Sequence, residues 1–87
     1  MSSIMRESLE TMLRKIDREI VIVETRLRRI ALRFGLSNWK ELEKLFKVKG
    51  VDNPELDMLW PEYLYLRKRL EELIKRRSEV LSNLGRL

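Results

Sequence analysis

The feature that most constrains this fold is a ladder of apolar residues in the first part of the chain. Its spacing alternates between four and three, without Gly or Pro, through Leu9, Leu13, Ile16, Ile20, Val23, Leu27, Ile30 and Phe34. This is the period of a coiled-coil seam, which places all of these side chains on one stripe of an α-helix. The ladder predicts a helix over about residues 4–34, with Gly35 as the left-handed residue that ends it.

A second ladder with the same spacing occupies the last part of the chain. It runs through Leu59, Tyr63, Leu66, Leu70, Leu73, Arg77, Val80, Leu84 and Leu87. Arg77 is the one polar member, and we expect its charged group to extend to water; the alternative is that it specifies register or partner. Because Pro61 would remove a hydrogen bond deep inside a helix, we predict Asp57 as the N-cap and a helix over about 58–83. A kinked helix that starts at residue 54 is the alternative.

The segment between the ladders predicts one short helix, over about residues 38–48. Asn38 and Glu41 have the spacing of a capping box, and Gly50 is the predicted stop before a turn over residues 51–55. This connector and the start of the second ladder carry aromatic residues that we expect to fold back over one end of the molecule, namely Trp39, Phe46 and Trp60.

Together these patterns predict an all-α fold with one domain over residues 1–87, a long antiparallel helical hairpin with a short helix in its connector. A chain of this size has a small core and usually needs a disulfide, a metal or a second subunit. Four further apolar residues widen the apolar face of the first helix beyond what one seam needs: Met12, Val21, Ile22 and Leu32. We therefore predict that two copies pair into a dimeric four-helix bundle.

The composition excludes several classes of chemistry. The chain contains no Cys and no His, which removes thiol nucleophiles, histidine general bases and zinc fingers. We predict no catalytic residue, no metal and no cofactor, and hence a non-enzymatic protein. No apolar run approaches the roughly 20 residues of a membrane span, and the N-terminus lacks the pattern of a signal sequence, so the expected location is the cytoplasm. High Lys, Arg and Glu contents without Gln are typical of thermophiles.

Two functions fit this composition. The first is a helical protein–protein interaction module, with apolar and aromatic residues as candidate partner-binding sites: Ile20, Val21, Leu27, Trp39, Phe46, Trp60, Tyr63 and Leu66. The alternative is a small basic protein that binds nucleic acid, because the chain has a net charge of +5. The candidate phosphate-binding residues are Arg26, Arg28, Arg29, Arg33, Lys68, Arg69 and Arg76. Acidic residues are interleaved with these cations, so we favour the interaction module.

The connector also carries a family resemblance. Its motifs are Phe34-Gly35-Leu36-Ser37, Trp39, Glu41-Leu42, Gly50, Pro54-Glu55 and Trp60. In this pattern the chain resembles small archaeal helical proteins that look like antitoxins of type II toxin–antitoxin pairs. The resemblance implies that one or both long helices lie in a groove of a toxin and mask it sterically, with apolar anchors at helical spacing.

Overall fold

The computed structural model describes residues 2–49 and 53–87. Helix α1 spans Ser2–Arg33, and a 3₁₀ turn over Trp39–Glu41 leads into helix α2, Leu42–Lys49. Helix α3 spans Pro54–Gly85. The described ranges contain helices and turns and no strand, so the prediction of an all-α fold is confirmed.

The molecule is a long antiparallel hairpin of α1 and α3, as predicted. Its principal extents are 59 × 18 × 17 Å, and its radius of gyration is 17.1 Å. A compact chain of this length would have a radius of gyration of about 12 Å. Because the cross-section is only two helices wide, all apolar layers lie close to solvent.

The two predicted ladders face each other and form one seam. The seam and the residues beside it supply the buried core, which consists of Ile16, Val23, Leu27, Ile30, Ala31, Leu42, Leu56, Tyr63, Leu66, Leu70, Leu73 and Val80. The other ladder residues are partly buried against this core, apart from Arg77, whose side chain is partly exposed, and Leu87, which is exposed. The alternation of three and four therefore identified the interface between the long helices.

Helix α1 ends in a Schellman motif centred on Gly35. The amide of Leu36 donates to the carbonyl oxygen of Ala31 at 3.0 Å, and the amide of Gly35 donates to that of Leu32 at 3.1 Å. Gly35 has φ +72°, the left-handed conformation that the motif requires and that glycine adopts without strain. The predicted stop at Gly35 is confirmed.

The predicted start of the last helix at residue 58 is wrong, and the alternative start at Pro54 is the one observed. Asn53 is the N-cap, and its side-chain oxygen accepts from the amide of Leu56 at 3.1 Å. Pro61 therefore lies inside the helix, where it removes one backbone hydrogen bond. The additional turn buries Leu56, which is 1% exposed, and burial of a leucine side chain is worth about 2 kcal/mol. The cap and this burial offset the cost of the internal proline.

The connector contains the predicted short helix, with a different first turn. Asn38 caps it, but its side-chain oxygen accepts from the amide of Lys40, at 3.0 Å, and a 3₁₀ turn precedes α2. The predicted capping box between Asn38 and Glu41 is therefore replaced by a tighter turn. The predicted stop at Gly50 and the first part of the predicted turn, residues 51 and 52, lie outside the described residues.

Candidate interaction surfaces

One side of the hairpin carries a ladder of ion pairs between α1 and α3. Glu19 pairs with Arg69 at 2.7 Å, Arg26 with Glu62 at 3.3 Å, and Arg33 with Glu55 at 3.7 Å. The pairs recur every seven residues on both helices, because each charged residue immediately precedes a seam residue. We call this surface the ladder side. Its side chains are about half exposed, so each pair contributes little to stability.

Arg77, the polar member of the second ladder, also pairs across the hairpin. Its Nε donates to the Oδ1 atom of Asp17 at 2.6 Å, and both side chains are partly exposed. The guanidinium thus extends to the edge of the seam, as predicted, and there it meets a carboxylate. Asp17 follows a seam residue, so this pair lies on the side opposite the three-pair ladder.

The opposite side, which we call the connector side, is formed by the residues that follow every second seam residue, and its closed end is covered by the connector. The members of this side include Glu24, Ala31, Trp60, Arg67, Ile74 and Leu81. A string of four aromatic rings holds the connector there. The rings of Phe46 and Trp60 stack at 3.9 Å, those of Trp60 and Tyr63 at 4.7 Å, and those of Trp39 and Tyr63 lie 6.5 Å apart. Leu42, at the start of α2, is fully buried beside this string. Aromatic pairs of this kind add to the free energy of area burial.

A groove of about 480 Å³ lies where the connector leaves the connector side uncovered. Its apolar part is formed by Trp39, Tyr63, Leu70 and Ile74, and charged residues form its rim: Glu24, Lys40, Glu43, Arg67 and Glu71. Arg67 is held there by ion pairs with Glu43 and Glu71. Beyond the groove, Leu81 continues the line of Ile74 two turns further along α3. Both side chains are substantially exposed.

Burial and hydrogen bonding shift two pKa values in this arrangement. Burial raises the pKa of Tyr63, which is 1% exposed in the middle of the aromatic string. The hydrogen bond to Glu19 raises the pKa of Arg69 on the ladder side. Both shifts favour the protonated form, so Tyr63 stays neutral and Arg69 stays charged across the neutral pH range.

The predicted partner-binding residues do not form one surface. Leu27, Tyr63 and Leu66 belong to the chain's own core. Ile20, Trp39, Phe46 and Trp60 are partly buried, and Val21 is exposed on α1. The seam accounts for four of these eight residues, because a residue on the strongest apolar stripe of a hairpin packs first against the hairpin's own partner helix.

The predicted phosphate-binding residues are also dispersed. Arg26, Arg33 and Arg69 belong to the ladder side, where carboxylates neutralise them. Arg28 and Arg29 lie on the outer surface of α1, whereas Lys68 and Arg76 are exposed on α3. Successive residues of a helix are rotated by about 100°, so a cluster in sequence is spread around the helix.

Sequence reasoning missed the ladder side and the position of the groove. The ion-pair ladder could have been predicted from the sequence. Glu19, Arg26 and Arg33 precede seam residues at a spacing of seven, and their partners on α3 do the same. The connector side had a weaker signal in Ala31, the chain's one alanine, which follows a seam residue and is fully buried. A small residue at that position leaves room for the connector to approach.

Comparison of the chain with family models, curated proteins and solved structures finds no match. The resemblance to antitoxin-like proteins therefore stays a prediction. Within residues 2–49 and 53–87, no group of three acidic side chains is placed to hold a metal ion. None of the described helices is long and apolar enough to cross a bilayer.

Proposed function

We propose that the protein is a non-enzymatic helical interaction module that acts through its connector side. The observation behind this proposal is the groove beside Trp39 together with the uncovered line of Ile74 and Leu81, which are 54% and 41% exposed. At the closed end of the hairpin the connector already covers the same side with a helix. A helix of a second protein that lies along the open half would continue this packing and cover the apolar line.

In the isolated protein we propose that a second copy of the chain occupies this surface. Ile74 and Leu81 lie seven residues apart, so two α3 helices related by a two-fold axis can place the same line against itself. Ser78, between them on this face, is small and allows close approach of the helices. The product is a dimeric four-helix bundle, which gives a chain of this size the additional core that it needs.

The resemblance to antitoxin-like proteins suggests a biological partner. We propose that the connector side masks a toxin in the cytoplasm, with the dimer interface and the toxin contact sharing this surface. The action would be steric, by apolar anchors at helical spacing, without a reacting group.

Sedimentation equilibrium tests the proposal on the purified protein. We expect a dimer for the natural chain and a monomer for the double variant Ile74→Ser/Leu81→Ser, because two apolar anchors are lost from the interface. The matched control is Ile4→Ser/Met58→Ser, which removes two residues that are 71% and 76% exposed elsewhere, and it should remain a dimer. Circular dichroism should give equal helicity for all three proteins.

The absence of cysteine allows a second test by cross-linking. A single Ser78→Cys substitution, midway between Ile74 and Leu81 on this face, should form a disulfide-linked dimer on mild oxidation, whereas Ile4→Cys should not. A monomeric natural chain, or equal cross-linking at both positions, would contradict the proposed dimer surface.

A further inference from the structure

The outer surface of α1 is basic and free of acidic residues over more than five turns. From Thr11 to Leu32, the residues that lie outside the seam and the two positions flanking it include Arg14, Lys15, Arg18, Arg28 and Arg29, all exposed. The acidic residues of this stretch are Asp17, Glu19 and Glu24, which lie beside the seam, where the first two pair with α3. Among the described side chains, no carboxylate lies within ion-pair distance of the five outer cations.

The outer surface of α3 is different, although the helix has the same length. Its outward residues include the acids Asp57, Glu71, Glu72 and Glu79 together with the cations Lys68 and Lys75. Some of these charges are matched within the chain, since Glu71 pairs with Arg67 and Glu72 with Arg69. The outward charges of α3 are therefore mixed, whereas those of α1 between Thr11 and Leu32 are all positive.

Exposed apolar residues lie between the cations of α1. Val21 is 63% and Ile22 is 52% exposed, and they lie between the cluster of Arg14, Lys15 and Arg18 and the pair Arg28–Arg29. At 1.5 Å per residue the two basic groups are roughly 15–20 Å apart. Leu32, 61% exposed, lies three turns beyond Val21 on the same face, after the pair Arg28–Arg29.

We infer that this surface, the outer face of α1, binds an acidic amphipathic helix of a different protein. Apolar residues of such a helix would cover Val21, Ile22 and Leu32, and its carboxylates would meet the two basic groups that precede and follow Val21 and Ile22 along α1. A second copy of this chain does not fit through the same face, because it would oppose like charges. Nucleic acid fits less well, because a phosphate backbone offers nothing apolar to the centre of the surface.

The test uses a fluorescein-labelled synthetic helix of three heptads, with a leucine stripe flanked by glutamates, and an otherwise identical helix flanked by lysines. We expect the acidic peptide to bind the full chain with an anisotropy change and the lysine peptide to bind at least about tenfold more weakly. Arg18→Glu/Arg28→Glu should abolish binding, and Val21→Ser/Ile22→Ser should weaken it about tenfold. The control Lys68→Glu/Lys75→Glu, which makes the same charge change on α3, should leave binding within about twofold of the natural chain.

A 20-base-pair duplex and anionic phosphatidylserine vesicles are measured in parallel. Tighter binding of either probe than of the acidic peptide, with Val21→Ser/Ile22→Ser unaffected, would overturn the inference, as would equal binding of the two peptides. Because the outer face of α1 shares neither Ile74 nor Leu81 with the connector side, the variant Ile74→Ser/Leu81→Ser should still bind the acidic peptide. Failure of the dimer proposal and failure of this inference are thereby distinguishable.

Discussion

The two sides of the hairpin use the same seam in different ways. At the closed end of the connector side, Ala31 is buried, Trp60 lies in the aromatic string, and a stack of rings holds a third helix against the pair. On the ladder side, the residues that precede seam residues are charged and about half exposed. One side therefore removes apolar surface from water, and the other arranges charge with little burial.

This difference indicates that the free energy of unfolding and the alignment of the two long helices depend on different sides of the hairpin. Burial contributes about 25 cal/mol per Å² of apolar surface, whereas an exposed ion pair contributes less than about 1 kcal/mol. A pure apolar seam, however, repeats every seven residues and tolerates a slip by one heptad. The comparison teaches that the connector side should dominate the free energy of unfolding and that the ladder side should select one alignment of α1 against α3.

The largest expected effect comes from truncating the connector side at Leu42. This residue is fully buried, and Leu42→Ala should lower the free energy of unfolding by about 3 kcal/mol, because it leaves a cavity between the connector and the hairpin. Urea unfolding followed by circular dichroism at one protein concentration measures the change. Met58→Ala, on an exposed residue, is the control and should change the value by less than about 1 kcal/mol. Equal effects of the two substitutions would break the distinction between the sides.

A smaller effect is expected from the buried phenol on the connector side. Because burial raises the pKa of Tyr63 above 10.0, the folded state keeps its proton at a pH where the unfolded state loses it. Stability that is fully present below about pH 10 should therefore fall as the pH rises from there through the folded-state pKa. Tyr63→Phe should remove this part of the pH dependence, and Tyr65→Phe, which changes an exposed ring, should retain it. Identical pH profiles of the two variants would mean that the Tyr63 hydroxyl group in the aromatic string is not shielded from water.

The sequence predicted the seam and the hairpin because both depend on one periodic signal. Local rules failed at Pro61, where the predicted helix boundary ignored Leu56, three residues before Leu59 and thus on the same ladder. Tertiary burial of Leu56 outweighed the local cost of proline. The side on which the connector packs could not be predicted from the sequence. It depends on which residues face Ala31 and Trp60, and these are known only from the assembled hairpin. The acid-free outer face of α1 became visible only when the seam fixed which residues point outward.

The smallest expected effect tests the ladder side. A slip of α3 by one heptad in either direction would oppose one pair of like charges, Arg26 with Arg69 or Glu19 with Glu62. At least one attractive pair would remain, Arg33 with Glu62 in the first case or Arg26 with Glu55 in the second. The observed alignment is the one in which all three rungs attract. The free-energy difference that the ion pairs make between two alignments is therefore larger than the contribution of any single ion pair to the observed alignment.

Charge reversal at the middle rung measures this discrimination. Glu62→Arg and Arg26→Glu should each lower the free energy of unfolding by about 1 kcal/mol, and the double reversal should recover most of the loss, because it restores an attractive pair with its direction inverted. Raising the salt concentration to 1 M should shrink these differences, since the side chains are exposed to screening ions. Single reversals without effect, or a double variant that is no better than the singles, would mean that the seam and the connector alone set the alignment. Recovery by the double variant would instead show that the ladder side depends on the opposite signs of its paired charges. Its contribution would then be to select one alignment of α1 against α3, with little change in the free energy of unfolding.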